Sequence, residues 1–503
     1  MIAGVELASR GAWAAAPDMN VVMVGRLPSR RPRAWAGVGI VVYVVLAGAA
    51  VAVNPFLLVV GTLVVALPVV AYLRPDVGVY VLLALTPLTA GIDRGHIVPL
   101  LRPNEVIFLL VGAGVGLRRL SSIGAGERAT FRLLTTDTSL FALAFFGSVV
   151  PLLWMLARSR SISQDDLLYT FVLPKYFAIY LVVKAAIRTE RQVRICLMVV
   201  LASGAVVAIV AILQALLLFH VPALLAKFYA PYGDTEALYL NRGGSTLANP
   251  LAVADVMVIT LAVTVGFVAK GLGRRWLLIG LGTLYIVGCV ASGEFSGALA
   301  LLVGLLAVGA VTGRFWRPLA FVVPALIVAG LILQPVIDRR LSDAHATGGV
   351  PSSWTERVSN LETYFLPDLR HDFQWVLGVR PSARVARGTN DYVFIESGYI
   401  ELLWTGGIPL LVAAAAFLSA NLRATATISR RRHDAAGIAA IGAFTALAVI
   451  AVLDLTDPHL TLRGAGDVTF ALLALAYVRN PSVARAPTAV RMVQPGTMAA
   501  TVS

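Results

Sequence analysis

Long apolar runs recur along almost the whole chain, and they constrain its fold more than any other feature. The runs lie near 35–53, 55–73, 77–92, 105–117, 138–157, 168–187, 195–219, 250–269, 276–292, 296–312, 318–334, 398–420, 437–453 and 467–478. A membrane-spanning helix needs about 20 mostly apolar residues, and backbone polar groups inside lipid must be paired within the protein. The period-2 alternation of a membrane barrel is absent. The sequence therefore predicts an all-α polytopic membrane protein with about 14 transmembrane helices, or 12 to 14 because some runs are short.

Composition agrees with a membrane protein and argues against nucleic-acid binding, a disulfide framework and a metal site. The chain is 58% hydrophobic and only 14% charged, which lies outside the usage of soluble globular domains. We attribute the net charge of +14 to cytoplasmic anchoring charge rather than to nucleic-acid binding. Cys196 and Cys289 both lie in apolar runs, which argues against a disulfide framework, and the histidines lack metal-ligand spacing. We expect no metal and no cofactor.

The distribution of Lys and Arg predicts the topology, because cytoplasmic segments carry an excess of these residues. With the N-terminus inside, the alternation holds to the C-terminus. It predicts a cytoplasmic tail over 1–34 that leads into an uncleaved signal anchor, and transmembrane helices 1–11 over 35–334. A large extracytoplasmic loop over 335–397, helices 12–14 over 398–478 and a disordered cytoplasmic tail over 479–503 follow. We expect the protein in the plasma (inner) membrane.

The 335–397 segment is the largest polar stretch of the chain, and it precedes the apolar run at 398–420. It is rich in aromatic residues and contains seven arginines: Arg339, Arg340, Arg357, Arg370, Arg380, Arg384 and Arg387. If the protein carries out chemistry, we expect the chemistry here.

Arg242 begins a Gly-rich run, Gly243-Gly244-Ser245-Thr246, at the outer end of a predicted span. A guanidinium offers planar bidentate donors, and glycine amides can approach an oxyanion closely, which suits a phosphate or pyrophosphate. The alternative interpretation is an interfacial arginine that reaches lipid headgroups.

Glu396 lies at the predicted water–membrane boundary. Withdrawal from water raises the pKa of a carboxyl group, and nearby arginines lower it. A general base needs a pKa adjusted in this way. The alternative is a carboxylate that complements the helix dipole. Glu294 lies in a tight outer turn, and Asp255, Glu401 and Lys175 lie within predicted spans, where ionisable residues are functional candidates. For Lys175 and Asp255 we favour structural pairs.

Four features together resemble the superfamily of O-antigen ligases and Wzy-type polysaccharide repeat-unit polymerases. They are the many-helix body with one large loop, the segment 241–250, the passage from Trp354-Thr355-Glu356-Arg357 to 375–379, and the segment 396–408. Ligases of this superfamily have His where this chain has Glu396, whereas the Ser397-x-Tyr399 form looks like polymerase-type members. The resemblance covers about 235–420.

The resemblance implies a metal-independent membrane glycosyltransferase. Its donor would be a polyprenyl-pyrophosphate-linked oligosaccharide, polymerised into a cell-surface polysaccharide on the outer side of the plasma membrane. Glu396 is then expected as the base and Arg242 as a catalytic cation for the leaving pyrophosphate. The expected substrate-binding residues are Arg357, Arg380, Arg387, Tyr399 and Glu294. Membrane lipids and other polysaccharide-assembly membrane proteins are expected partners, and nucleic acid is not.

Three alternatives stay open at this point. The first is an O-antigen-type ligase that transfers finished glycan to a lipid or protein acceptor. The second is a transporter or flippase for lipid-linked sugars, although the concentration of polar sequence in one loop differs from the mid-membrane sites of many transporters. The third is a structural assembly partner with a degenerate site.

Overall fold

The computed structural model describes residues 20–22, 55–124, 130–132, 134–230, 235–313, 316–346, 352–387 and 392–478. Within these ranges eight helices are long and apolar enough to cross a membrane, or up to nine if a pair bent by 80° near Leu333 forms one span. The chain is therefore an all-α polytopic membrane protein. The total of 14 spans stays a prediction, and the first predicted span, 35–53, lies outside the described residues.

The elements are numbered in chain order. The helices are α1 (Pro55–Leu73), α2 (Pro75–Thr89), α3 (Pro103–Gly124), α4 (Thr135–Ala157), α5 (Gln164–Thr170), α6 (Val172–Ala186), α7 (Glu190–Ala215), α8 (Val221–Ala226), α9 (Pro250–Ala269), α10 (Arg275–Ala291), α11 (Phe295–Thr312), α12 (Trp316–Ile332), α13 (Gln334–Ala346), α14 (Ser352–Asn360), α15 (Leu366–Arg370), α16 (Gly398–Arg431), α17 (Ala435–Leu453) and α18 (Ala465–Ala476). Two short antiparallel ribbons pair β1 (Asn20–Val22) with β2 (Thr130–Arg132) and β3 (Arg384–Ala386) with β4 (Tyr392–Phe394).

Helix starts follow local chemistry that the sequence displays. Proline is the first residue of α1, α2, α3 and α9, where its missing N–H costs nothing and its fixed φ suits the helix. The Asn249 side chain caps α9 by accepting hydrogen bonds from the backbone N–H groups of Leu251 and Ala252. Each predicted apolar run from 55–73 to 467–478 coincides with a helix.

Helices α9 and α17 form the centre of the bundle. Both are apolar around their whole circumference and bury most of their residues, as expected of helices surrounded by other helices. They pack against each other, and α10, α11 and α18 cover them from further sides. Helix α16 packs between α4 and α17.

The 335–397 segment is a folded layer at one end of the bundle. Its own small core contains Phe365, Leu369, Val393 and Ile395, and Trp404 of α16 completes it. The Phe365 and Trp404 rings meet edge to face at 5.2 Å. Further contacts join the layer to the bundle: Trp154 Nε1 donates to the Gly378 carbonyl (3.1 Å), and Arg384 Nε lies 2.8 Å from Asp165 Oδ2. The side of the membrane on which this layer lies stays a prediction.

A break inside α16 fixes how the layer meets the bundle. Gly407 has φ +64°, which a glycine tolerates and other residues do not. A Cβ at this position would collide with the Val376 carbonyl. The N–H of Ile408 donates to the carbonyls of Trp375 (3.2 Å) and Val376 (3.1 Å), which belong to the polar layer. The glycine therefore allows the polar layer to insert against the helix.

Candidate functional site

A cavity of about 710 Å³ lies between the bundle and the polar layer. One part of its wall is apolar and comes mainly from α3, α6 and α16, including Phe108, Leu173 and Leu402. The other part carries charged side chains from loops and helix ends: Asp93, Arg94, Arg102, Glu105, Lys175, Arg357, Glu396, Glu401, Asp457 and Arg463. Five of these ten side chains are basic and five are acidic, so the cavity offers both cationic groups and carboxylates next to its apolar wall.

Two large apolar side chains of the cavity wall have much accessible surface. Leu109 of α3 and Phe171, between α5 and α6, both line the cavity and are 51% and 64% exposed. Such a surface is suited to contact the apolar part of a ligand.

Glu396 lies in the cavity wall, between β4 and the start of α16. The Arg357 guanidinium of α14 forms ion pairs with two carboxylates there: its Nε lies 3.1 Å from Glu396 Oε2 without hydrogen-bond geometry, and its Nη2 lies 3.0 Å from Asp457 Oδ1. The start of α16 is fixed to the 454–464 loop because the N–H of Tyr399 donates to the Asp454 carbonyl (3.1 Å). This contact holds Glu396 and Asp457 on either side of Arg357.

The surroundings of Glu396 tune its proton affinity. Burial raises the pKa of Glu396 to about 7, Arg357 opposes the increase, and the negative charges of Asp457, Glu356 and Glu294 add to it. Burial likewise raises the pKa of Asp457, again against Arg357. A carboxylate with a pKa near neutrality, at the wall of a cavity, is suited to act as a general base.

A second charged group lies elsewhere in the same wall. Glu105, in the first turn of α3, accepts hydrogen bonds from Arg94 Nη2 (2.7 Å), Arg102 Nη1 (3.4 Å) and the Arg102 backbone N–H (3.0 Å). Arg463, from the 454–464 loop, lies 3.4 Å from Asp93 Oδ1. We call Arg94, Arg102 and Arg463 the arginine cluster.

Arg242 and Glu294 form an ion pair with each other, and neither is among the described residues that line the cavity. Arg340 of α13 also approaches Glu294, at 3.6 Å. Gly243, which follows Arg242, has a packing role: its N–H donates to the Ala291 carbonyl (2.9 Å), at the end of α10. A Cβ at Gly243 would lie 2.7 Å from the Ala211 carbonyl, so only glycine permits this approach.

The remaining predicted substrate-binding residues lie outside the cavity wall, as far as the structure describes it. Arg380 binds Asp166 through two hydrogen bonds, Nε to Oδ1 (3.0 Å) and Nη2 to Oδ2 (2.7 Å), which joins the polar layer to α5. Arg387 is exposed just after β3. The Tyr399 hydroxyl donates to the Ala451 carbonyl of α17. Of the predicted site residues, Glu396 and Arg357 meet in the cavity.

Two of the ionisable residues within predicted spans belong to pairs: Lys175 Nζ lies 2.8 Å from Asp467 Oδ1, and Asp255 Oδ2 lies 2.8 Å from His459 Nδ1. Lys175 also lines the cavity. Glu401 lines the cavity, as Glu396 does, and accepts a hydrogen bond from Thr461 Oγ1 (3.2 Å).

Sequence reasoning missed Asp457 and the arginine cluster. A signal was present: Arg94, Arg102 and Arg463 lie in short segments predicted to be outside, where Lys and Arg are normally depleted. What the sequence does not display is that the two segments meet at one cavity, where Arg463 contacts Asp93, 370 residues away in the chain.

In comparisons with known proteins, no family model matches the chain, and no curated protein matches it.

Proposed function

We propose that the chain is a membrane glycosyltransferase that lengthens a cell-surface polysaccharide from a polyprenyl-pyrophosphate-linked oligosaccharide. The observation that carries the proposal is the cavity, which combines an apolar wall, a set of guanidinium groups and the tuned carboxylate of Glu396. We further propose 14 spans in the plasma membrane, cytoplasmic tails and an extracytoplasmic 335–397 layer. The enzyme would then work on the outer side, as the sequence resemblance implies.

Each part of such a donor has a counterpart in the cavity. The isoprenoid chain is apolar and would enter from the bilayer between α3 and the α5–α6 pair, past Leu109 and Phe171. The diphosphate is a dianion or trianion that needs fixed cationic donors, and guanidinium groups provide them with bidentate geometry. Fixed positive charge also stabilises the diphosphate as it departs, because it needs little reorganisation during the reaction.

The chemical step uses Glu396 as a general base. An acceptor hydroxyl oxygen attacks the anomeric carbon of the donor sugar, the bond from that carbon to the diphosphate oxygen breaks, and the hydroxyl proton passes to Glu396. The polyprenyl diphosphate leaves with the bonding electron pair. Arg357 keeps Glu396 in place and limits its pKa increase, and Asp457 holds Arg357 from its other side.

Replacing Glu396 with Gln tests this role. The amide cannot accept the proton, so we expect chain lengthening by purified enzyme with lipid-linked donor to fall about 100- to 10,000-fold. Glu362→Gln is the matched control, because Glu362 is exposed in the same polar layer. Gel analysis of product length gives the readout, and wild-type-length polymer from Glu396→Gln would remove Glu396 from the mechanism.

The same assay separates the alternative functions. Because the donor's polyprenyl diphosphate leaves, longer glycan on the polyprenyl diphosphate of an acceptor unit identifies a polymerase, whereas glycan on a different lipid or a protein anchor identifies a ligase. A flippase would form no new glycosidic bond, and its deletion would leave the lipid-linked substrate facing the cytoplasm.

A further inference from the structure

The arginine cluster brings three guanidinium groups to one part of the cavity wall. Arg94 and Arg102 lie in the connection between α2 and α3, and Arg463 lies between α17 and α18. The carboxylates next to them are Glu105 and Asp93. Three positive and two negative groups leave one formal positive charge in this part of the wall, whereas the charged side chains of the whole wall balance, five basic and five acidic.

Arg102 is the most informative member of the cluster. The residue is only 8% exposed, it lines the cavity, and its Nε finds no hydrogen-bond partner among the described residues. A buried donor without a partner is costly, and a buried charge more so. Burial, together with the positive charges of Arg463 and Arg94, lowers the pKa of Arg102. An anion bound among these guanidinium groups would relieve their mutual repulsion.

The apolar surface next to the cluster limits the kind of anion. Arg102 directly precedes α3, and two residues of that helix, Phe108 and Leu109, continue the cavity wall. Leu109 and Phe171, which also line the cavity, add exposed apolar surface to this wall. A phosphate-bearing lipid fits the arginine cluster and the adjoining apolar wall better than a free inorganic anion.

We propose that Arg94, Arg102 and Arg463 bind the diphosphate of a polyprenyl diphosphate whose chain leaves the cavity between α3 and the α5–α6 pair. The identification of this lipid as the glycan donor rests on the proposed function. Arg242, which the sequence favoured for this role, is held by Glu294 outside the cavity wall. The diphosphate and the acceptor hydroxyl would thus bind at different parts of one cavity, the hydroxyl at Glu396.

Lipid binding to the full-length protein in phosphatidylcholine nanodiscs tests the assignment. Undecaprenyl diphosphate is titrated against wild type, Arg102→Gln and Arg102→Lys. We expect Arg102→Gln to weaken binding about 10- to 100-fold, because a charge-assisted hydrogen bond in a partly dry site is lost. The affinity of Arg102→Lys should lie between those of wild type and Arg102→Gln, because lysine keeps the positive charge but lacks the planar bidentate donors of a guanidinium.

Arg432→Gln is the matched control. Arg432 is also partly buried and also binds a carboxylate, that of Asp434, but it lies at the far end of α16 from Glu396. We expect its affinity to equal that of wild type. If Arg102→Gln does not elute as a folded protein in gel filtration, Arg94→Gln takes its place, because Arg94 is the more exposed of the two.

Two further probes distinguish the sources of the phosphate group. Inorganic pyrophosphate should bind more weakly than undecaprenyl diphosphate, and phosphatidylglycerol should not displace the diphosphate lipid. Displacement by phosphatidylglycerol at equal concentration would overturn the proposal in favour of a general headgroup site. Equal affinity of wild type and Arg102→Gln would overturn it as well, even if Glu396→Gln abolishes chain lengthening. If wild type binds the lipid and forms no polymer, the proposed function fails and the binding site stands.

Discussion

At the scale of single residues, Glu396 makes the pH dependence of the proposed reaction predictable. Its pKa is raised to about 7 by burial, against the opposing charge of Arg357. A general base acts only when deprotonated, so the rate should rise about tenfold per pH unit below neutrality and level off above it. Removing the opposing charge in Arg357→Gln should move the midpoint to higher pH.

Initial rates of chain lengthening, measured across the acidic and neutral range, check this prediction. Arg432→Gln, at the other end of the bundle, should leave the midpoint in place. A profile without a midpoint near neutrality, or one that Arg357→Gln moves to lower pH, would show that a different group accepts the proton.

The residue scale is also where sequence reasoning reached its limit. Glu396 was identifiable because it stands between a polar segment and an apolar run, and Arg357 because it lies in that polar segment. Arg242 was favoured by its glycine-rich context, yet Gly243 serves close packing against the end of α10. The arginine cluster forms through tertiary contacts between distant loops, which no local pattern encodes.

At the scale of elements, the break in α16 gives a stability prediction. Gly407→Ala puts a Cβ against the Val376 carbonyl at a positive φ, so the polar layer must withdraw or the helix must straighten. We expect destabilisation of about 1–3 kcal/mol or more, seen as a lower melting temperature of the purified protein in detergent. Gly280→Ala in α10 is the control, because a Cβ there meets open space. Equal melting temperatures for the two variants would contradict the role assigned to the break.

Apolar runs predicted the helices well because, inside lipid, a stretch of about 20 apolar residues has few other ways to pair its backbone. The same physics does not determine where a helix bends. The run at 398–420 predicted a helix through Gly407, and the bend there depends on carbonyls from 375–376, which belong to another part of the chain. The secondary structure of 335–397 likewise depends on a small core completed by Trp404.

At the scale of the whole molecule, the proposed function requires the polar layer and the cavity on the outer side of the membrane. The distribution of arginines predicts this orientation, since Arg430, Arg431 and Arg432 at the far end of α16 would stay inside. Exposed positions at both ends make the prediction testable: Glu362 lies in the polar layer and Arg431 at the opposite end.

In intact cells, a membrane-impermeant maleimide should label Glu362→Cys and should label Arg431→Cys only after permeabilisation. The background should be low because the native Cys196 and Cys289 are both buried. A flipped donor presents its glycan and diphosphate to the outer side, so only this orientation lets the cavity receive it. The reverse labelling pattern would place Glu396 and the arginine cluster at the cytoplasmic surface, where no outward-facing donor can reach them, and would thereby exclude polymerisation on the outer side.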